Sequence, residues 1–208
     1  MTKTIPMFSR CVHLDNVNLD FKKIIKELDF KYSKSGKGEP DERKLSSKLT
    51  ENKDVLNRKK WNWLKKIVNI QLEKYTKGVM KYYNDFEMTT SWFTKTYPND
   101  QSSFHCHKNS MVSCVLYLQC DVNSGDLCFI DYKNDNLFDI PLTEFNIYNS
   151  QSFQIKPEPG LIIFFPSQLQ HKILKNQSTL TRYSLACNFI PVGHIQNKHS
   201  DSYIHIKR

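Results

Sequence analysis

From about residue 86 onward, apolar and polar positions alternate, or apolar runs appear whole, in short bursts separated by clusters of Asn, Asp, Ser, Gly and Pro. A period of two is that of a β-strand, and such clusters supply turn chemistry. Phe86, Met88, Thr90, Trp92, Thr94 and Thr96 alternate up to the turn Tyr97-Pro98-Asn99-Asp100. Further strands are predicted over 110–119, 126–131, 151–156, 160–166, 171–175 and 182–190. Ahead of them the period is helical. Phe21, Ile24, Ile25 and Leu28 share one face of a short helix that Asn18 is placed to cap. Across 50–83, Val55, Leu56, Leu64, Ile67, Val68, Leu72, Tyr75, Val79 and Met80 recur at intervals of three and four, with lysines on the other face. Trp61 and Trp63 are expected to pack that helix onto a sheet.

Residues 4–13 read as an extended opening segment, 31–43 as a polar loop holding two glycines and a proline, and 191–208 as a tail without periodicity. Closely spaced strands behind two helices predict a mainly β fold with N-terminal α-helices, a β-sandwich or jelly roll buttressed by those helices. The 208 residues are expected to form one domain: 1–84 helical support, 85–190 the jelly-roll core and 191–208 the tail.

Composition narrows the setting. With 39% hydrophobic and 12% aromatic residues, the chain is too apolar for a disordered protein. No run approaches the ~20 apolar residues that span a bilayer, and Met1-Thr2-Lys3-Thr4-Ile5-Pro6 opens no apolar signal segment, so a cytoplasmic protein is expected. The cysteines at 11, 106, 114, 120, 128 and 187 form no Cys-x-x-Cys pair, which argues against a structural zinc site or a disulfide framework. The net charge of +9 is concentrated between Lys22 and Lys81, where eighteen Lys and Arg face eight Asp and Glu. Such a region either forms a solvated helix face or attracts nucleic acid or another acidic partner.

The candidate chemistry begins at Phe104-His105-Cys106-His107-Lys108-Asn109-Ser110. In an extended segment His105 and His107 point the same way, so both can reach one ion while Cys106 faces away. Neutral imidazole ligates Fe, Zn, Cu or Ni. The turn Pro157-Glu158-Pro159-Gly160 feeds the apolar run Leu161-Ile162-Ile163-Phe164-Phe165, which leads past Pro166-Ser167 to His171. Arg182 opens another apolar strand, where its charge needs an anionic partner. That partner is either an internal carboxylate or a ligand carboxylate gripped by two parallel hydrogen bonds, with Ser184 on the same face adding a third.

This ordered set resembles the Fe(II)- and 2-oxoglutarate-dependent dioxygenases, and within them a compact bacterial and phage branch. Ser91-Trp92, His105, His107, Ser110, Ser113, Val115 and Tyr117 match its first half. Ser124-Gly125, Gly160, Phe165-Pro166-Ser167, His171, Asn176, Arg182, Ser184 and Asn188 match its second, so the likeness covers about 86–190. The resemblance implies a double-stranded β-helix holding Fe(II) on His105, His107 and His171, with 2-oxoglutarate and O2 completing the metal site. It further implies that Arg182, Ser184 and the Tyr117 hydroxyl bind the far carboxylate of 2-oxoglutarate. The implied reaction hydroxylates a prime substrate, namely a protein side chain, a nucleotide or nucleic acid, or a small metabolite, and releases succinate and CO2. Most of the superfamily carries a carboxylate where this chain has His107. Were His107 not a ligand, Asp126 or Asp131 would be the nearby carboxylates, although neither has the matching spacing. Cys114 and Leu116 also depart from the branch pattern, at positions expected to shape the pocket. Two other readings fit parts of the pattern: a cupin-like metalloprotein without 2-oxoglutarate, and a non-catalytic module binding nucleic acid through residues 22–81.

Overall fold

The computed structural model describes residues 4–5, 9–28, 30, 48–49, 53–131 and 140–207; the polar loop expected over 31–43 lies outside them. Ten strands are found among the described residues: β1 (His13–Asn16), β2 (Lys48–Leu49), β3 (Asp85–Thr96), β4 (Val112–Gln119), β5 (Leu127–Ile130), β6 (Ser152–Ile155), β7 (Leu161–Pro166), β8 (Gln170–Ile173), β9 (Arg182–Ile195) and β10 (Ile204–Ile206). The larger sheet runs β1-β7-β4-β9-β3-β2, with β10 paired to the far end of β9; the smaller runs β6-β5-β8. All these pairings are antiparallel. Two facing antiparallel sheets form the jelly roll that the strand pattern predicts.

Alternation assigns each face of the larger sheet a separate task. Cys114, Leu116, Leu118, Ile162, Phe164, Leu185, Cys187 and Phe189 pack outward with Ile24, Leu64, Val68, Leu72 and Tyr75 from the helical layer. Val115, Tyr117, Leu161, Ile163 and Phe165 point inward to Leu127, Phe129 and Ile155 of the smaller sheet. A period of two is what lets neighbouring residues of one strand serve both cores.

The helical layer departs from the expected regular helix over 50–83. Short 3₁₀ turns at Val55–Asn57 and Lys59–Trp61 precede α2 (Asn62–Glu73), and a π-helical turn over Lys74–Val79 ends it. Lys74 pairs with Asp15 at 2.7 Å and the Tyr75 hydroxyl donates to the Cys11 carbonyl at 3.0 Å, tying this end of the layer to β1 and the segment before it. Trp61 is buried, its ring 5.3 Å from that of Phe93 on β3, whereas Trp63 stands 44% exposed.

Two expectations are corrected. The short helix α1 (Phe21–Lys26) is capped by Asp20, whose carboxylate accepts from the Lys23 amide at 3.0 Å, and not by Asn18. The stretch beyond 190 continues β9 to Ile195 and folds back as β10. Its polar composition reflects a two-stranded extension beyond the core rather than a tail. Among the described residues no helix is long and apolar enough to cross a membrane.

Leu116 is fully buried between the sheet and the helical layer. Leu116→Ala is expected to cost about 2–5 kcal/mol of unfolding free energy, measured by urea denaturation followed by circular dichroism.

Candidate active site

Backbone pairing brings the three histidines together across ~65 residues of chain. His105 and His171 exchange both main-chain hydrogen bonds at 2.9 Å, and the His107 amide donates to the Ser167 carbonyl, also at 2.9 Å. Gln168 Nε2 donates to the His107 carbonyl at 3.0 Å. Asn109, in the left-handed region at φ 59, then turns the chain toward β4. The imidazole centroids lie 5.3 Å (105 to 107), 4.4 Å (105 to 171) and 5.1 Å (107 to 171) apart. One ring nitrogen from each falls within 4.8 Å of the others, close enough to share an ion.

Hydrogen bonds to the other ring nitrogens decide which atoms are available. His105 Nδ1 faces the Ser103 carbonyl at 2.9 Å, and His171 Nδ1 faces the Leu169 carbonyl at 2.9 Å. A carbonyl only accepts, so both Nδ1 atoms carry the proton, and in the neutral ring the lone pair lies on Nε2. His107 Nδ1 lies 2.6 Å from Asn188 Oδ1 and 3.0 Å from Ser113 Oγ. Burial holds the His171 pKa down at about 3, with the neighbouring histidines adding to the effect. Burial also lowers that of His107, against a hydrogen bond to Asn188 that raises it. Both are therefore neutral at physiological pH. Phe165 and Phe129 pack their rings against His171, at 4.8 and 6.1 Å.

The same cavity, about 390 Å³, is lined by the three histidines and by Trp92, Thr94, Arg182 and Ser184. Arg182 is 1% exposed. Its Nη1 donates to the carbonyls of Ser124 and Gly125 at 3.1 Å each, and its Nη2 to Thr96 Oγ1 at 3.1 Å. Among the described residues no carboxylate pairs with it, so the internal salt bridge that sequence left open is not what satisfies this charge. Arg182 Nε and the Tyr117 hydroxyl are buried without a partner. The guanidinium carbon stands 5.9 Å from the Tyr117 ring centroid. Burial raises the Tyr117 pKa to about 12, the Arg182 charge opposing, so the phenol keeps its proton and can donate. Unmet polar atoms beside a cation that no carboxylate among the described residues pairs could together receive an anion.

Several supporting residues carried no signal of their own in the sequence. Thr96 reads there as one more strand residue, and the carbonyls of Ser124 and Gly125 are invisible to composition. Gly125 adopts φ +85, and a Cβ on it would sit 2.1 Å from the Leu174 carbonyl oxygen, so only glycine presents that acceptor here. Asn176, fully buried, donates to the Thr96 and Leu180 carbonyls at 3.3 and 3.0 Å, closing the turn that delivers Arg182. The alternative carboxylates are elsewhere: Asp131 pairs with Arg10 at 3.5 Å, and neither Asp126 nor Asp131 belongs to the histidine cluster or lines the cavity.

Residues 90–188 match the model of a family described as putative 2OG-Fe(II) oxygenase. No protein of curated function matches the sequence significantly. Among solved structures, the fold is similar to a prolyl hydroxylase from Trichoplax adhaerens in complex with a hypoxia inducible factor oxygen degradation domain peptide fragment. The identity is 12% and the TM-score 0.59, over 86% of this chain and 83% of that one. HygX from Streptomyces hygroscopicus, crystallised with nickel, 2-oxoglutarate and hygromycin B, gives 10% identity and a TM-score of 0.57 over 88% and 83%. A Pseudomonas putida prolyl-4-hydroxylase gives 15% and 0.54 over 89% and 95%. At such identities the likeness to these structures is one of fold.

Two expectations follow for the metal-free protein. The unfolded chain takes up a proton at His171 below pH ~6.5, the folded chain only near pH 3. Stability is therefore full above pH ~6.5 and falls as the pH drops towards 3, by about 1.4 kcal/mol per pH unit for this one group. Urea titrations between pH 6 and 4 will show the slope, and His171→Gln will remove that share of it. Tyr117→Phe, which deletes a buried hydroxyl without a partner, is expected to raise unfolding stability by about 1–3 kcal/mol in the absence of ligand, read by the same titration at pH 7.5.

Proposed function

We propose that this chain, whose residues 90–188 match the model of a family described as putative 2OG-Fe(II) oxygenase, hydroxylates a C–H bond of a prime substrate, with Fe(II) on the Nε2 atoms of His105, His107 and His171. One observation carries the reading. A three-nitrogen face and a buried guanidinium that no carboxylate among the described residues pairs line a single cavity.

The residues present fit both groups. Three imidazoles, each offering one ring nitrogen, suit a divalent first-row metal and would hold it together. Arg182 Nε and the Tyr117 hydroxyl, with Ser184 Oγ nearby, are donors matched to the far carboxylate of 2-oxoglutarate. When bound, the metal and cosubstrate supply the oxidising power: 2-oxoglutarate, O2 and the C–H bond become succinate, CO2 and an alcohol. The protein's part is placement. Arg182 and Tyr117 hold the distal carboxylate, and Ser103, Leu169 and Asn188 keep the three Nδ1 protons away from the metal face. Phe165, Leu127, Val115 and Ile173 exclude water from the cavity.

The prime substrate is proposed to carry an acidic or phosphate group. Among the described residues no acidic side chain lines the cavity. Lys53 Nζ lies 5.7 Å from the ring centroid of Trp92, a cavity residue whose ring is itself 5.7 Å from that of His107. A cytoplasmic setting suits the six cysteines, all of them unpaired.

The test is succinate formation with Fe(II), 2-oxoglutarate and ascorbate, with and without host extract as a source of prime substrate. Turnover is expected in the wild type and should fall at least ~100-fold in His171→Ala. Arg182→Met is expected to raise the KM for 2-oxoglutarate by about 10–100-fold through loss of the charge-assisted hydrogen bonds. Absence of turnover in iron-reconstituted protein, together with unchanged iron affinity in His171→Ala, sinks the reading.

A further inference from the structure

We infer that Asn188 is the positioning residue that commits His107 to metal binding through Nε2, and that the polar row around it is built for imidazole rather than carboxylate as the third ligand. The inference rests on the ligand set proposed above.

The three histidines are oriented by different means. His105 and His171 each lie against a main-chain carbonyl two residues earlier, an acceptor that no side-chain substitution removes. His107 instead depends on Asn188 Oδ1, 81 residues along the chain, at 2.6 Å. The remaining contacts of Asn188 fix its orientation. Its Nδ2 donates to Thr90 Oγ1 at 3.0 Å, which leaves Oδ1 as the atom facing His107. Ser113 Oγ donates to the same Oδ1 at 2.8 Å and is hydrogen-bonded at 2.8 Å to Ser167 Oγ. Thr90, Asn188 and Ser113 are direct cross-strand partners on β3, β9 and β4, and Ser167 follows the end of β7. A polar row thus crosses four adjacent strands and converges on one ring nitrogen.

Two consequences follow from the direction of these bonds. An oxygen acceptor at Nδ1 requires the proton there, so the lone pair of a neutral His107 sits on Nε2, toward the other two histidines. The row also disfavours a carboxylate at position 107. An aspartate there would set its acceptor oxygens against Asn188 Oδ1 as the row stands, and relieving this would require turning the amide and reversing the direction of its bonds with both Thr90 and Ser113. The histidine that departs from the usual carboxylate is thus matched by its surroundings.

The test is Co(II) binding to metal-free protein without 2-oxoglutarate, followed by visible absorption and calorimetry. Asn188→Ala is expected to weaken binding about 10–100-fold. Asn188→Asp, which keeps an oxygen acceptor at the same place, should bind as tightly as the wild type or tighter. In a His107→Ala background, Asn188→Ala should have no further effect, because its influence passes through the lost ring. His107→Asp should bind Co(II) more weakly than the wild type. Thr90→Val, which frees the amide to turn, should weaken binding in the same direction and stands in for Asn188→Ala should that variant not fold. Unchanged affinity in Asn188→Ala, or equal losses with and without His107, overturns the positioning role. His107→Asp binding as well as wild type overturns the preference for imidazole. No loss in His107→Ala alone refutes the ligand assignment instead, and succinate formation tests the oxygenase reading independently of all these outcomes.

Discussion

Strand β9 is the constraint on which the site hangs. Arg182, Ser184 and Ala186 line the cavity and Asn188 reaches His107 from the same face, while Leu185, Cys187 and Phe189 enter the core under the helices. The pleat that aims a guanidinium at one end of the cavity and an amide at the other is the same pleat that buries the apolar residues between them. A slip of one residue against β3 or β4 would exchange these sets, placing a charge in the helical core and leucine, cysteine and phenylalanine in the cavity. Register is therefore enforced by packing on one side and by polar chemistry on the other.

The proposed metal face and anion-binding end are built by contrasting means. At the histidines, each Nδ1 has an acceptor, so the free lone pairs converge by elimination. At Arg182, two backbone carbonyls and one hydroxyl satisfy part of the guanidinium while Nε and the adjacent phenol are left unmet. One end is completed by the protein except for its ion. The other leaves donors unmet that the acceptor oxygens of the proposed ligand would satisfy.

Much of this was legible in the chain, and the boundary is physical. Because both depend on neighbours in sequence, strand period and turn chemistry located every strand from β3 to β9 within a few residues, except that β9 runs five residues past its expected end. His105, His107, His171, Arg182 and Ser184 could be singled out because metal ligation and buried charge demand particular residue types. What the sequence could not show depends on distant pairing. Thr96 serves Arg182 from a strand 86 residues earlier, and Asn188 serves His107 from 81 residues later. Asn188 had been picked out as part of a family pattern, yet its role appears only once β9 lies beside β3 and β4. The misjudged terminal stretch is of the same kind: β10 has no periodicity of its own to display, only a partner in the extension of β9.

Were the proposed site to hold 2-oxoglutarate, the unmet donors beside Arg182 would tie the persistence of the fold to metabolism. A folded chain that buries Arg182 Nε and the Tyr117 hydroxyl without partners gives up stability that a bound dicarboxylate would restore. Ligand held at a hundred times its dissociation constant would add about 2.7 kcal/mol to the folded state. The amount of intact enzyme in a cell would then follow the supply of its own cosubstrate. Starvation for 2-oxoglutarate would thin the enzyme population through unfolding and proteolysis as well as slow each surviving molecule.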